Sequence, residues 1–181
     1  ADVIGALLPE RAIVVDESNT SGFLLTQATA GAPAHDWLTL TGGAIGYALP
    51  VAIGAAIAEP DRPVLCLESD GSAMYTISAL WSHARENLDI TTVVYANQAY
   101  DILRIELARV GAQSGGLPPG PKAAALLDLA PPALDFVKMA QGMGVPARRA
   151  ATAEELAEAL RWALDEPGPH LIEAVMPSIA G

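Results

Sequence analysis

The sequence predicts an α/β fold: a doubly wound, mainly parallel sheet with helices on both faces. Three observations carry this. Short β-branched runs alternate with longer Ala- and Leu-rich segments from one end of the chain to the other. Several runs are apolar throughout, as strands covered on both faces are. Polar clusters follow the runs, at the sheet edge where such folds bind ligands.

Taken in order, residues 12–15 read as a strand and 20–30 as a helix. Residues 37–40 form a short strand, and 45–58 a helix rich in Ala and Gly that tolerates Pro50 near its first turn. A buried strand at 64–67 precedes a helix at 77–86, and a second buried strand occupies 91–95. Residues 100–110 have helical character. The Gly-Gly-Leu-Pro-Pro-Gly-Pro segment at 115–121 breaks any regular element and is a loop. Residues 134–142 are helical again, and 145–148 a strand. Thr152 and Glu155 make a capping box for a helix running to about Asp165. Pro167-Gly168-Pro169 turns the chain into a last strand at 171–175. Right-handed crossovers between parallel strands then give the doubly wound arrangement.

A chain of 181 residues, 51% hydrophobic and 17% charged, has the apolar mass for one real core and is no disordered tail. Without repeats or a composition shift, 1–181 reads as a single domain. The net charge of −11, from 21 acidic against 10 basic residues, argues against nucleic-acid binding. A diphosphate bound by so acidic a chain must be met by a cation or by backbone amides. Cys66 is the only cysteine, so no internal disulfide forms and a reducing compartment, the cytoplasm, is expected. Within the run 63–67 it reads as a buried thiol rather than a nucleophile. No apolar stretch is long enough for a membrane span, and no signal peptide is visible.

The chemistry is expected where the strands end. Asp16 to Ser21 follow the first strand, Glu68 to Ser72 the third, and Ala96 to Ala99 the fourth. Asp70 is followed by Gly71, which lets a ligand approach the backbone, and by a helix start whose amides suit an anion. Asn97 lies 27 positions on, at the end of a neighbouring strand. One carboxylate and one amide oxygen suit a hard cation that keeps sites for phosphate oxygens and water, as magnesium does. Either residue alone reads as a helix cap or a turn. At two adjacent strand ends, the pair reads as a site.

Asp70-Gly71-Ser72, the gap and Asn97 resemble the thiamine-diphosphate signature of the decarboxylase and acetolactate-synthase superfamily. The segment from Ser72 to Trp81 is similar to benzoylformate decarboxylase and acetolactate-synthase-like relatives, and Gly43 to Gly54 to their glycine-rich helix. The resemblance runs in order from about Ile13 to the C-terminus and implies the diphosphate-binding (PP) domain of the thiamine-diphosphate-binding fold. It also implies roles. Asp70 and Asn97 would give side-chain oxygens to Mg2+, and Ala99 its backbone carbonyl. Gly71 and Ser72 would contact the diphosphate, with Asn19 and Thr20 closing over it. Ile45 would wedge beneath thiamine diphosphate and enforce its bent shape, and Gly43 would present its carbonyl to the aminopyrimidine. Magnesium would also neutralise the phosphate that this acidic chain repels.

Two positions depart from the family pattern: Ser69 stands for the first glycine of Gly-Asp-Gly, and Ala96 for the first of paired asparagines. Neither supplies a metal side chain, so binding is expected to survive. A dinucleotide reading of residues 41–46 fails for lack of the first glycine and of a surrounding βαβ unit. His35, His83 and His170 have no metal-ligand spacing; His83 is expected at a surface or interface, and His170 packed beside Pro169. Glu154, Glu155 and Glu158 form a solvated helix face. Ser18, Ser69 and Ser72 lack a base partner, which disfavours a hydrolase. A kinase-like use of Asp70 has no nearby cation, since Lys122 and Lys138 are the only lysines.

In the superfamily, the glutamate that activates the cofactor sits on a separate pyrimidine-binding domain, usually of another subunit. No segment here resembles that domain, so the chain by itself is expected to be inactive. The chain opens at Ala1 without methionine, and the reading is a C-terminal portion of a longer enzyme, with a split subunit as the alternative. The implied reaction is cleavage beside the carbonyl of a 2-oxo acid, ending in decarboxylation or in carboligation to a second carbonyl compound. The other class of reading is a catalytically inactive interaction or regulatory module. The expected partners are a pyrimidine-binding domain or subunit, a small 2-oxo acid and a second copy of the chain.

Overall fold

The computed structural model describes residues 1–113 and 120–179. Six strands form one sheet: β1 (Ile13–Glu17), β2 (Asp36–Thr39), β3 (Val64–Ser69), β4 (Ile90–Ala96), β5 (Ala147–Ala150) and β6 (His170–Val175). Their order is β2-β1-β3-β4-β6-β5, and every pairing is parallel. The predicted doubly wound parallel sheet is the fold observed. Its central strands, β3 and β4, are buried almost throughout, while the edge strands β2 and β5 are mostly exposed. This is why the central strands read as continuous apolar runs and the edges do not.

The helices are α1 (Asp2–Leu7), α2 (Leu25–Ala28), α3 (Ala48–Ala58), α4 (Asp70–Thr76), α5 (Ala79–Arg85), α6 (Asp101–Gln113), α7 (Pro121–Ala125), α8 (Phe136–Gly142) and α9 (Ala153–Asp165). Two apolar cores sandwich the sheet. On one face Leu49 and Ala52 of α3, Leu80 of α5 and Phe136 of α8 pack on Val15, Cys66 and Val94. On the other, Ile4, Leu25 and Leu160 pack on Val14, Leu65, Val93 and Ile172. Alternate residues of each strand feed the two cores, as the pleat requires.

Several sequence-based boundaries need correction, each for a tertiary reason. The helix expected at 20–30 divides into a 3-10 turn at Asn19–Gly22 and the short α2. Asn19 adopts φ +50, and a Cβ on Gly22 would lie 1.7 Å from Ser18 Oγ, so the chain folds tightly back on the strand end. The helix expected from Ile45 begins at Ala48, because Gly46 at φ +85 interrupts it. Pro50 still falls in the first turn, where its missing amide costs nothing. The helix expected at 77–86 is α5, slightly shorter than expected, and a separate helix, α4, precedes it and starts at Asp70 itself. The fifth strand lies at Ala147–Ala150, two residues later than expected. Helices α1 and α7 were not anticipated. Most of the loop expected at 115–121 lies outside the described residues, but Pro121 opens α7 as its first residue. His83 is not at a surface: it is 1% exposed, and its Nε2 donates to the Leu49 carbonyl at 3.0 Å. Cys66 is wholly buried, and His170 is buried edge-on to the Trp162 ring.

Thr152 caps α9 as expected, accepting the Glu155 amide. The return bond differs from a capping box, since Glu155 accepts from the Ala151 amide at 2.7 Å rather than from Thr152.

Candidate functional site

The strand order places a topological switch between β1 and β3. The chain leaves β1 for β2 on one flank, then returns across β1 to enter β3 on the other. Their carboxyl ends diverge there and leave a crevice, the position at which open α/β sheets bind ligands. The loop after β1, the start of α4 and the turn after β4 all open into it.

One cavity of about 350 Å³ occupies this crevice. Asn19 and Thr20 line it from β1, Asp70, Gly71 and Ser72 from the start of α4, and Asn97 and Ala99 from the turn after β4. Ile45 also lines it and is 41% exposed. Gly43 is not among the lining residues; it lies in the exposed turn before α3, at φ +69. Sequence reasoning gave no individual site role to Tyr75, Tyr100 or Asp101, which line the same cavity.

Asp70 is 2% exposed, and backbone donors hold its carboxylate from two elements: the Gly71 amide at 2.8 Å and the Gln98 amide at 2.6 Å. Burial nevertheless pushes this carboxyl up to about 6, against the lowering effect of those amides. Asn97 Oδ1 accepts the Ala99 amide at 3.0 Å, and its Nδ2 donates to Asp101 Oδ2 at 3.0 Å, which fixes the amide's orientation. Asp101 is itself buried, accepting Ser178 Oγ at 2.6 Å and the Ile179 amide at 2.8 Å.

On the β1 side, Asn19 Nδ2 reaches Ser69 Oγ at 2.7 Å, Ser72 Oγ at 3.0 Å and the Glu17 carbonyl at 3.0 Å. Ser69 Oγ also donates to Ser72 Oγ at 2.9 Å. The left-handed backbone of Asn19, which asparagine tolerates better than most residues, is what aims this amide across the crevice. A Cβ on Gly71 would lie 2.5 Å from Tyr100 Cε1, so the tyrosine ring covers this glycine.

No lining residue is basic; the charged ones are Asp70 and Asp101. Among the described residues no group of three His, Cys, Asp or Glu is placed to hold a metal. The oxygen-bearing side chains that line the cavity include two buried carboxylates, Asp70 and Asp101, and the oriented Asn97 amide. That set suits a hard cation able to retain water or phosphate oxygens. It does not suit zinc, which takes nitrogen and sulfur ligands.

Sequence reasoning missed Gln98, whose side chain pairs with Leu134 through Nε2 to the carbonyl (3.3 Å) and Oε1 from the amide (3.0 Å). It also missed Asp101. Four residues after Asn97 and at a helix start, Asp101 offered only the generic signal of an acid at a helix N-terminus. Glu17 stood in a noted polar cluster but was given no role.

Residues 20–174 match the family model described as "Thiamine pyrophosphate enzyme, C-terminal TPP binding domain". Over 181 residues the chain is 76% identical to IlvX of Mycobacterium tuberculosis, whose name assigns it provisionally as an acetolactate synthase large subunit; this covers 100% of the chain and 35% of that protein. It is 38% identical to the benzoylformate decarboxylase of Pseudomonas aeruginosa, covering 98% of the chain and 32% of that enzyme. The structure is similar to that of the thiamine diphosphate-dependent 4-hydroxybenzoylformate decarboxylase of Rhodococcus jostii, with a TM-score of 0.81 and 32% identity, covering 99% of this chain and 32% of that one. The chain therefore spans about a third of the length of these relatives. No described helix is long and apolar enough to cross a membrane.

Proposed function

The chain belongs to the thiamine pyrophosphate enzyme family as its C-terminal TPP binding domain, and from that premise we propose that it binds thiamine diphosphate through Mg2+ in the crevice between β1, β3 and β4. One observation carries the reading. A buried carboxylate and an oriented amide end adjacent strands of an acidic cavity that has no basic side chain for a phosphate. A divalent cation held by Asp70 and Asn97 would neutralise the phosphate charge and remove that conflict.

In this reading Asp70, Asn97 and the Ala99 carbonyl hold the metal. Gly71 and Ser72 meet the diphosphate, with Asn19 and Thr20 beside it. Ile45 and the Gly43 carbonyl would meet the rest of the cofactor from the turn before α3. The cofactor supplies carbanion stabilisation next to a carbonyl. This chain binds it, orients it and shields the diphosphate end from water.

The activity proposed for the complete assembly is decarboxylation of a small 2-oxo acid or acetolactate-synthase-like carboligation. A pyrimidine-binding domain or subunit supplies the activating glutamate, and the chain alone does not turn over. Phe23, Leu24, Met74 and Tyr75 are large apolar side chains left exposed, the kind of surface that such a partner or a second copy would cover.

Calorimetric titration with thiamine diphosphate, in excess Mg2+ and again in excess chelator, tests the proposal. Saturable binding that requires the metal supports it. Equal binding under both conditions contradicts the metal bridge, and no binding in Mg2+ contradicts a site formed by this chain alone.

A further inference from the structure

The turn that carries Gly43 and Ile45 closes on itself, with the Ile45 amide donating to the Gly43 carbonyl at 3.1 Å and the Ala44 amide to the Thr41 carbonyl at 3.5 Å. Gly42 and Gly43 both have positive φ, and a Cβ on either would meet nothing within 4 Å. Ile45 is partly exposed. One residue later other elements make the contacts. The Gly46 amide donates to Glu17 Oε1 at 2.5 Å, and the Ala48 amide donates to Glu17 Oε2 at 2.8 Å. The Gly46 carbonyl accepts from Thr76 Oγ1 at 2.9 Å. A Cβ on Gly46 would lie 2.7 Å from Tyr75 Cβ, so the peptide is pressed directly on the end of α4.

Glu17 is the last residue of β1 and only 2% exposed. Its neighbour in register is Glu68, also wholly buried, with Oε2 unpartnered among the described residues. Two acids side by side in an apolar core are costly unless donors meet them. Glu17 finds them in two amides at the start of α3, where the helix dipole favours an anion. Thr76 closes the other side. It is the last residue of α4, and the first is Asp70. A single short helix therefore joins the candidate metal carboxylate to the anchor of the Gly43–Ile45 turn.

We infer that Glu17 and Thr76 are positioning residues: gripping Gly46 from both sides, they set the height of Ile45 and Gly43 above the diphosphate end of the site. The inference rests on the cofactor reading above, but its first consequence needs no cofactor. Glu17→Gln presents an amide NH2 to one of two backbone donors. Thr76→Val deletes the hydroxyl at constant shape, and Thr76→Ser restores it.

The test has two arms, both on the full chain. Without ligand, amide hydrogen exchange at residues 43–48 quickens in Glu17→Gln and Thr76→Val, while residues 64–69 of β3 stay protected as in wild type. Unchanged exchange at 43–48, or equal loss in β3, overturns the inference. With ligand, Mg2+ plus inorganic pyrophosphate reads only the metal end, whereas Mg2+ plus thiamine diphosphate reads the turn as well. Both variants weaken thiamine diphosphate by about tenfold, the effect of one lost hydrogen bond of this strength, and leave pyrophosphate within about twofold. Thr76→Ser binds both as wild type does. Parallel loss of both probes, or loss of neither, overturns the inference. Faster exchange at 43–48 in a protein that binds neither probe contradicts the cofactor reading while leaving the grip on Gly46 demonstrated. Thr76→Val carries both arms if Glu17→Gln does not fold.

Discussion

Asp70 Oδ2 accepts the Gln98 amide at 2.6 Å, a bond that ties the end of β3 to the turn after β4. It puts the candidate metal carboxylate and the Asn97 turn in one rigid frame. Gln98 sits at φ +58 to make it, and its side chain clamps Leu134 at both backbone atoms. Gln98→Ala removes that clamp and keeps the strained backbone. The expected cost is about 1–2 kcal/mol, two ordinary hydrogen bonds, read as a lower urea midpoint at unchanged slope.

Two glycine substitutions have opposite signs. Gly46→Ala places a Cβ 2.7 Å from Tyr75 Cβ in a left-handed backbone, and is expected to cost about 1–3 kcal/mol or more. Gly54→Ala, inside α3 with open space around it, should stabilise by about 0.5–1 kcal/mol. Thermal melts of the two variants beside wild type check both signs.

Asp101→Ala leaves the Asn97 Nδ2, Ser178 Oγ and Ile179 amide donors without this acceptor. These donors are only partly buried or exposed, so water can replace the lost acceptor, and the expected loss of stability is about 1–2 kcal/mol. Because the Asn97 amide then keeps, among the described residues, only its bond from the Ala99 amide, Mg2+-dependent ligand binding should weaken as well. Urea titration and calorimetry on the same preparation separate the two effects.

Burial holds the His83 imidazole below its ordinary value near 6.5, so the folded chain prefers the neutral ring. Below that value the unfolded chain takes up the proton first. The stability this ring contributes is therefore full above about pH 6.5 and is lost as pH falls through the folded value. His83→Gln keeps a donor for the Leu49 carbonyl but cannot titrate. The wild type should lose more melting temperature than the variant between pH 7.5 and 5.5; equal losses would contradict the assignment.

The strands were legible in the sequence because β3, β4 and β6 are buried on both faces and are made mostly of apolar and β-branched residues. The starts of α2 and α3 were not. They depend on left-handed residues at Asn19 and Gly46, and no local pattern announces that Asn19 will reach Ser69 and Ser72, fifty residues on. His83 has the same lesson, since its burial follows from a carbonyl on α3 rather than from its own helix. The positions of Asp70 and Asn97 could be read because each ends a recognisable strand. Gln98, Asp101 and Glu17 could not, because what they do is decided by Leu134, Ser178 and Gly46, which are distant in sequence.

The central claim is the metal bridge at Asp70, and the most direct measurement is calorimetric titration of thiamine diphosphate with Mg2+ into wild type and Asp70→Ala. Metal-dependent binding by the wild type that is lost in the variant, with the variant folded by circular dichroism, is the result expected. Undiminished binding by a folded Asp70→Ala would contradict the account.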